Sequence, residues 1–319
     1  PRLAGGLEIA VFIQKNTNGR CRATKSLDGK TALVTGGTTG MGFEIAMDFA
    51  HRGAKVIIAC PYSDEGVQAK DTIAQKTGND KIVFKLLDLA SLDSVREFAA
   101  DVLETEDRLD ILVNNAGVGV PKDYLTKDGM SFIMQVNYFG HFLLTLLLLP
   151  LLKKSGMLGN PSRIVNTSSI LHYIGVFGIK DLNRTDHWFM VQTYAKSKFC
   201  LVLFARELST RLLGDSVVIN SVDPGAVGTR IFDSAGRLYG IFLTFLCNNF
   251  CKTPWEGAQT ALHAALDPRA GEVSGEFFWN CKKSRAVTWG YSEKLAKRLW
   301  EESVRCVKLN EKELEACLK

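Results

Sequence analysis

The chain contains a series of short, continuous apolar runs, most of which end in glycine, asparagine, serine or aspartate. Runs of Val, Ile and Leu without polar alternation are typical of strands that helices cover on both faces. Helical stretches separate them, such as MGFEIAMDFAHRG (41–53), with apolar residues at helical spacing. This alternation predicts an α/β fold with a doubly wound parallel β-sheet and helices on both faces. The predicted strands lie within 30–37, 54–60, 80–90, 109–117, 163–169 and 216–225.

A single domain is predicted, because no linker rich in Pro, Gly or Ser and no internal repeat divides the 319 residues. We assign this domain to 28–290, with an N-terminal extension at 1–27 and a C-terminal helical extension at 291–319. The very apolar stretch FLLTLLLLPLL (142–152) is short and contains Pro150, so it is interpreted as a buried helix and not as a membrane span.

Charge and cysteine content restrict the class of protein. The net charge is +5 and the basic residues are scattered, apart from CKKSR (281–285), so no nucleic-acid partner is predicted. The eight cysteines form no C-x-x-C pair, which predicts reduced thiols and exposure to the cytosol. The five histidines have no metal-ligand spacing, so we predict no metal site and give them no catalytic role.

A glycine-rich turn follows the first predicted strand. The stretch TGGTTGMG (35–42) has the spacing TG-x-x-x-G-x-G and leads into the first predicted helix. Glycines at such a turn let the backbone approach a pyrophosphate, which then lies at the positive end of the helix. The turn therefore predicts dinucleotide binding in a single-domain Rossmann fold.

The stretch YAKSK (194–198) places a phenol and an ammonium four residues apart. On a helix these two positions share a face, and a nearby cation stabilises a phenolate. Tyr194 and Lys198 are therefore candidates for proton transfer near neutral pH. The same spacing also occurs on ordinary solvent-exposed helices, so other motifs must support this interpretation.

Together these motifs resemble the short-chain dehydrogenase/reductase family, and the resemblance covers about residues 28 to 280. Further stretches match the family in the expected order: DL (88–89), NNAG (114–117), VNYFGHF (136–142), VNTSS (165–169) and DPGAVGT (223–229). The resemblance implies an NAD(P)-dependent oxidoreductase.

The resemblance also implies four catalytic residues. Tyr194 would be the general acid/base, and Lys198 would lower the pKa of Tyr194 and hold the nicotinamide ribose. Ser169 would donate a hydrogen bond to the substrate oxygen, and Asn137 would hold a water in a proton relay. Ser168 is the alternative to Ser169, whose hydroxyl would otherwise only cap the next turn. The alternative for Asn137 is a hydrogen bond to its own backbone.

NADP is favoured over NAD. NAD enzymes of this fold usually end the second strand with an acidic residue, where this chain has Cys60. The next residue is Pro61, where NADP-preferring relatives carry Arg. The cofactor contacts implied by the resemblance are Thr35, Gly36, Thr38, Thr39, Gly40, Met41, Gly42, Cys60, Asp88, Leu89, Asn115, Ala116, Gly117, Tyr194, Lys198, Pro224, Gly225, Val227 and Thr229.

The long spacing between Ser169 and Tyr194 resembles the retinol-dehydrogenase-like branch of the family. This implies a lipophilic substrate, a retinoid, lipid aldehyde or steroid-like molecule, under an aromatic lid around 230–252. It also implies a cytosol-facing protein associated with the membrane surface of the endoplasmic reticulum or of lipid droplets. The family often forms homodimers through two long helices, here about 128–154 and 193–213.

Two other functions are considered. Sugar-nucleotide epimerases and dehydratases share Tyr-x-x-x-Lys, but they usually have a different glycine spacing and a larger C-terminal substrate domain. The alternative from another class is a catalytically silent dinucleotide-binding scaffold or sensor, and cofactor binding without turnover would support it.

Overall fold

Eight strands form one sheet in the computed structural model, which describes residues 19–119, 123–175, 177–185, 191–228, 251–286 and 292–319. The strands are β1 (Thr31–Thr35), β2 (Lys55–Cys60), β3 (Ile82–Leu86), β4 (Ile111–Asn114), β5 (Ser162–Thr167), β6 (Val217–Asp223), β7 (Phe277–Trp279) and β8 (Lys282–Ser284). Their order is β3-β2-β1-β4-β5-β6-β7-β8. The first seven strands are parallel, and the short β8, which the sequence analysis does not predict, is antiparallel to β7.

Helices cover both faces of this sheet. They are α1 (Gly40–His51), α2 (Ser63–Thr77), α3 (Leu92–Thr105), α4 (Phe132–Ser155), α5 (Val191–Arg211), α6 (Pro254–Leu266), α7 (Glu293–Cys306) and α8 (Glu311–Leu318). Successive residues of β1 enter different cores, because side chains alternate across a strand. Leu33 joins the core formed with α3, α4 and α5, and Val34 joins the core formed with α1, α2 and α6. The predicted doubly wound α/β fold is confirmed.

The strand order places the functional crevice. The chain builds the sheet from β1 outward to β3, then returns and continues from β4 on the other side of β1. The connections after β1 and β4 therefore diverge at the carboxyl ends of these two strands. Open α/β sheets bind ligands at such a point, where the strand order reverses.

Helix α4 is long and apolar enough to span a membrane, but it is a core helix in this fold. Of its most hydrophobic window, 83% is buried inside the protein. Phe142, Leu146 and Leu149 are fully buried, which confirms the interpretation of 142–152 as a buried helix. Residues Gln135–Phe139 form a π-helical turn near its start. Such turns are frequent at functional sites.

The two C-terminal helices belong to the same core as α4 and α5. Tyr138 on α4 shares a 2.8 Å hydrogen bond between its hydroxyl and that of Ser303 on α7. Arg96 on α3 donates to the Lys308 carbonyl at 3.1 Å, and Cys317 on α8 is buried. The faces of α4 and α5 under α7 and α8 are therefore covered by the chain itself. The homodimer stays a prediction.

The described part of the predicted N-terminal extension packs along the domain. Leu27 is buried, and its N–H donates to the Arg52 carbonyl at 2.8 Å. The Cys21 N–H donates to Gln259 Oε1 at 3.1 Å, which ties this segment to α6.

Candidate active site

A cleft of about 1390 Å³ opens at the carboxyl ends of the central strands. Fifteen of the predicted cofactor contacts line it: Thr35, Gly36, Thr38, Thr39, Gly40, Met41, Cys60, Asp88, Leu89, Asn115, Ala116, Gly117, Tyr194, Lys198 and Pro224. Gly42, Gly225 and Val227 are not part of this lining. Thr229 lies outside the described residues, as does the predicted lid apart from residues 251 and 252. The structure thus brings together residues that the sequence separates by more than 180 positions.

The glycine turn leaves space for a ligand at the start of α1. Gly36 has a φ of 63°, a left-handed conformation that favours glycine. A Cβ on Gly42 would lie 2.1 Å from the Gly36 carbonyl oxygen, so only glycine allows this close packing. Thr39 caps α1 without a side-chain hydrogen bond, and the first turn contains no acidic residue. The exposed N–H groups and the helix dipole therefore suit an anionic group.

The end of β1 holds the turn after β4. The Thr35 hydroxyl oxygen accepts the N–H groups of Asn115 and Ala116 at 2.9 and 3.0 Å. Asn115 Nδ2 donates in return to the Thr35 carbonyl at 3.0 Å. These hydrogen bonds hold the NNAG turn against the glycine turn, so the two turns that border the crevice are connected directly.

Two buried polar atoms in the lining fit a bound ligand. Asn115 Oδ1 and Thr167 Oγ1 are buried, and no described protein group forms a hydrogen bond with either atom. A buried acceptor without a partner costs free energy, so such atoms usually bind a ligand or a water. Together with the glycine turn, they make the cleft suitable for a dinucleotide with amide and hydroxyl groups.

Tyr194 and Lys198 lie at the inner end of the cleft on α5, whose 3.6-residue period places both on one face. Lys198 Nζ is 5.5 Å from the centre of the Tyr194 ring. The ammonium donates to the Thr167 carbonyl at 2.9 Å, which anchors it to the end of β5. The Ser169 hydroxyl lies close enough to the Tyr194 phenol to lower its pKa. The structure thus places the predicted Ser, Tyr and Lys together.

The pKa of Tyr194 does not follow the expected direction. Burial raises the pKa of Tyr194 to about 12, the Ser169 hydroxyl opposes this increase, and the Asp223 carboxylate adds to it. Burial also lowers the pKa of Lys198 to about 8. Lys198 Nζ lies 5.5 Å from the ring centre and is not among the groups that shift this pKa, so desolvation dominates. The protein alone therefore keeps Tyr194 protonated at neutral pH, ready to donate a proton.

Ser168 and Ser169 have different partners. The Ser168 hydroxyl is buried and donates to the Lys198 carbonyl at 2.8 Å, which attaches β5 to α5. The Ser169 hydroxyl accepts the Leu171 N–H at 3.2 Å and also contacts Tyr194. Ser169 therefore caps the following turn and faces the Tyr194 phenol, which favours Ser169 over Ser168.

Asn137 is fully buried in the π-helical turn of α4. Its side chain accepts the Val118 N–H at 2.8 Å and donates to the Val118 carbonyl and to Ser197 Oγ, both at 3.0 Å. Asn137 thus links α4, α5 and the segment after the NNAG turn. A water held by Asn137 stays a prediction, because every side-chain contact described here is with protein.

Local hydrogen bonds hold the DPG loop and the end of the cleft that contains Cys60 and Asp88, where the resemblance predicts the adenosine (the adenosine end). Asp88 lines the cleft, and its carboxylate accepts the Ala90 N–H at 2.9 Å. At the other end, Gly225 has a φ of 81° and donates its N–H to Asp223 at 2.8 Å. Val227 forms a β-bridge with Lys252, which connects the DPG loop with the segment that leads into α6.

The sequence analysis misses several residues that shape the site. Ser197 bonds Asn137 although it lies inside the YAKSK motif, so its position there was a usable signal. Tyr124 and Phe132 stack with 4.8 Å between ring centres and form an apolar wall of the cleft. Glu65 lines the adenosine end, and no sequence pattern marks it.

Comparisons with known proteins agree with this geometry. The short chain dehydrogenase model matches residues 30–238. Human retinol dehydrogenase 13 is 39% identical over 302 residues, covering 92% of this chain and 89% of the relative. Polyprenol dehydrogenase of Danio rerio is 37% identical over 306 residues, covering 95% and 94%. The solved complex of Pseudomonas aeruginosa RhlG with NADP has a TM-score of 0.63 at 28% identity, covering 80% of this chain and 95% of that one.

The family model covers well over half of the chain, and relatives above 30% identity align along nearly their whole length. The fold, the glycine turn and the Ser, Tyr and Lys of the cleft are consistent with these matches. The chain belongs to the short-chain dehydrogenase/reductase family of NAD(P)-dependent oxidoreductases.

Proposed function

We propose that this enzyme interconverts a lipophilic alcohol and its aldehyde or ketone, with Tyr194 as general acid/base. One observation carries the proposal: the Tyr194 phenol lies beside the Ser169 hydroxyl and the buried Lys198, in the lining of a cleft suited to a dinucleotide. A proton donor, a second hydrogen-bond donor and a fixed cation are what carbonyl reduction needs at the oxygen.

Tyr194, Ser169 and Lys198 have different roles in the proposed reaction. The nicotinamide cofactor, when bound, supplies the hydride in reduction or takes it up in oxidation. Tyr194 gives its proton to the carbonyl oxygen in reduction and takes it back from the alcohol in the reverse direction. Ser169 donates a hydrogen bond to the same oxygen, where negative charge develops. Lys198, held by the Thr167 carbonyl, provides the positive charge that stabilises Tyr194 after it has lost its proton.

The apolar wall of the cleft supports a lipophilic substrate. Tyr124, Phe132 and Val136 line the cleft, and Val136 precedes Asn137 in the chain. Mostly apolar pockets with a few convergent polar groups suit a ligand that has one reactive oxygen. The names of two relatives, retinol dehydrogenase 13 and polyprenol dehydrogenase, refer to long apolar alcohols and point the same way.

A panel of carbonyl substrates tests this function. Purified enzyme would be given retinal, a polyprenal, a long-chain fatty aldehyde, a steroid ketone and, as a polar control, glyceraldehyde, each with NADPH and with NADH. We expect cofactor oxidation with at least one apolar carbonyl and little with glyceraldehyde. A preference for glyceraldehyde would contradict the substrate class. Cofactor binding without any turnover would instead favour the silent scaffold.

NADP remains the favoured cofactor within this proposal, but we expect weak discrimination between NADP and NAD. Cys60 ends β2 without the carboxylate that would repel a 2′-phosphate. Among the described residues that line the cleft, however, Lys198 is the only Lys or Arg, and it lies at the catalytic end. Glu65 lines the adenosine end, and its negative charge acts on Cys60.

Replacing Glu65 with Lys is expected to lower the KM for NADPH. The change removes a like charge and adds a cation beside the 2′-phosphate, and an exposed charge contact is worth about 1 kcal/mol, or about fivefold in affinity. The KM for NADH should stay within about twofold. Asp64→Lys is the matched control, because Asp64 is exposed in the same helical turn and does not line the cleft. An unchanged ratio of the two KM values in Glu65→Lys would place the 2′-phosphate elsewhere.

We further propose that the enzyme works on a cytosol-facing membrane surface of the endoplasmic reticulum or of lipid droplets. Exposed Trp279 pairs with exposed Lys282 across β7 and β8, and Trp255 is exposed at the start of α6. Exposed Trp beside Lys is a common combination at membrane interfaces. Flotation with anionic vesicles tests this proposal, and a Trp279→Ser protein that floats like the wild type would exclude this surface.

A further inference from the structure

His141 lies one helical turn after Asn137 on α4 and is fully buried. Its ring spans two structural elements. Nδ1 is 3.2 Å from the Asn137 carbonyl oxygen, and Nε2 is 2.9 Å from the Thr35 hydroxyl oxygen. One imidazole therefore connects the π-helical turn of the catalytic helix with the end of β1, 106 residues earlier in the chain.

The partners of the ring determine its protonation. A carbonyl oxygen only accepts hydrogen bonds, so Nδ1 must carry the hydrogen and Nε2 must be an acceptor. The Thr35 hydroxyl then donates to Nε2, because its oxygen already accepts the N–H groups of Asn115 and Ala116. The other acceptor in reach, the Val113 carbonyl, is farther away at 3.4 Å. Each hydrogen bond in this series thus has a defined donor and a defined acceptor.

The ring is neutral at neutral pH. Burial lowers the pKa of His141 to about 3, the Asn137 carbonyl opposes this, and the nearby Lys198 charge lowers it further. A protonated ring would carry a hydrogen on both nitrogens, and Nε2 could no longer accept from Thr35. The contact with Thr35 therefore requires the neutral form that this environment produces.

We propose that His141 is a positioning residue that sets the NNAG turn for cofactor binding through Thr35. This inference rests on the proposed oxidoreductase function. If Nε2 did not take the Thr35 hydrogen, the hydroxyl would be free to rotate, and its contacts with Asn115 and Ala116 would weaken. Gly117 at the end of the turn lies close to Lys198, since a Cβ there would be 3.3 Å from Nζ. A displaced turn would thus affect both the cofactor and the catalytic lysine.

Two conservative substitutions of His141 test the hydrogen bonds of Nδ1 and Nε2 separately. The amide of Gln reaches about as far as Nε2 and can accept from Thr35, whereas the amide of Asn reaches only as far as Nδ1 and can donate to Asn137. We expect His141→Gln to bind NADPH within about threefold of the wild type. We expect His141→Asn to weaken NADPH binding by about tenfold, the effect of one lost buried hydrogen bond. Thr35→Val should weaken it further, because this change also removes the acceptor of the Asn115 and Ala116 N–H groups.

Binding would be measured by the fluorescence of bound NADPH, with thermal unfolding to confirm that each variant folds. The double variant His141→Asn/Thr35→Val should bind NADPH no more weakly than Thr35→Val alone, because both changes break the same contact. His51→Asn, at an exposed histidine, is the control and should bind as the wild type does.

Equal losses in His141→Gln and His141→Asn, or additive losses in the double variant, would overturn the proposal. In a variant with activity, kcat should fall together with cofactor affinity while the KM for the carbonyl stays the same. Cofactor affinity is measured without a carbonyl substrate. A failure to find turnover would therefore count against the proposed function and not against the role of His141.

Discussion

Replacing Tyr194 with Phe is expected to lower kcat by about 10²- to 10⁴-fold, the usual contribution of a positioned general acid. The change removes only the hydroxyl, which lies beside the Ser169 hydroxyl and, in the proposed mechanism, holds the transferable proton. The ring that faces Lys198 stays in place. We therefore expect the affinity for NADPH and the thermal midpoint of unfolding to stay close to those of the wild type.

Tyr173→Phe is the matched control for this experiment. The Tyr173 hydroxyl donates to the Arg285 carbonyl at 2.6 Å, and Tyr173 does not line the cleft. Loss of that hydroxyl should leave kcat within about threefold of the wild-type value, because the hydroxyl is bonded to Arg285 and not to a residue of the cleft. Comparable activity of Tyr194→Phe and Tyr173→Phe would rule out Tyr194 as the proton donor and would refute the proposed mechanism.

The parts of the site that the sequence predicts are those that depend on local spacing. The glycine turn follows a buried strand and begins a helix, and Tyr194 and Lys198 lie one helical turn apart, so both features are visible as spacings along the chain. The choice of Ser169 over Ser168 came from family resemblance, and the structure supplies its physical reason. Ser168 is already bonded to the Lys198 carbonyl.

The parts that the sequence does not predict depend on contacts between distant segments. Thr35 and His141 meet only because α4 passes the end of β1, and no pattern in either segment encodes this. The direction of the Tyr194 pKa also requires the structure, because spacing alone does not show whether burial or Lys198 dominates. The packing of α7 and α8 is not predictable for the same reason. Their apolar faces show that they are buried but not which helices they pack against.

The Trp300→Ala variant is expected to lose about 3–5 kcal/mol of unfolding free energy, the usual range for a buried Trp or Phe reduced to Ala. Trp300 on α7 is only 3% exposed. Its ring centre lies 5.2 Å from that of Phe142 on α4 and 6.2 Å from that of Phe204 on α5. The Arg211 guanidinium lies 4.1 Å above the same ring, which adds a cation–π contact.

Trp255→Ala is the control for this loss. Trp255 is 43% exposed, and its described ring contact is with Arg20 at 5.3 Å, so we expect it to cost less than about 1 kcal/mol. Urea unfolding followed by circular dichroism would compare the two variants. A cost for Trp300→Ala no larger than that for Trp255→Ala would show that α7 does not contribute to the core.

The position of Trp300 also predicts how activity is lost. The ring touches the two helices that carry Asn137 and Lys198, but it does not line the cleft. At urea concentrations well below its unfolding midpoint, Trp300→Ala should therefore keep a kcat within about twofold of the wild-type value. It should lose activity only as it unfolds. A kcat that falls while the variant is still folded would mean that α7 sets the distance between the two catalytic helices, and the C-terminal segment would then be part of the active-site scaffold.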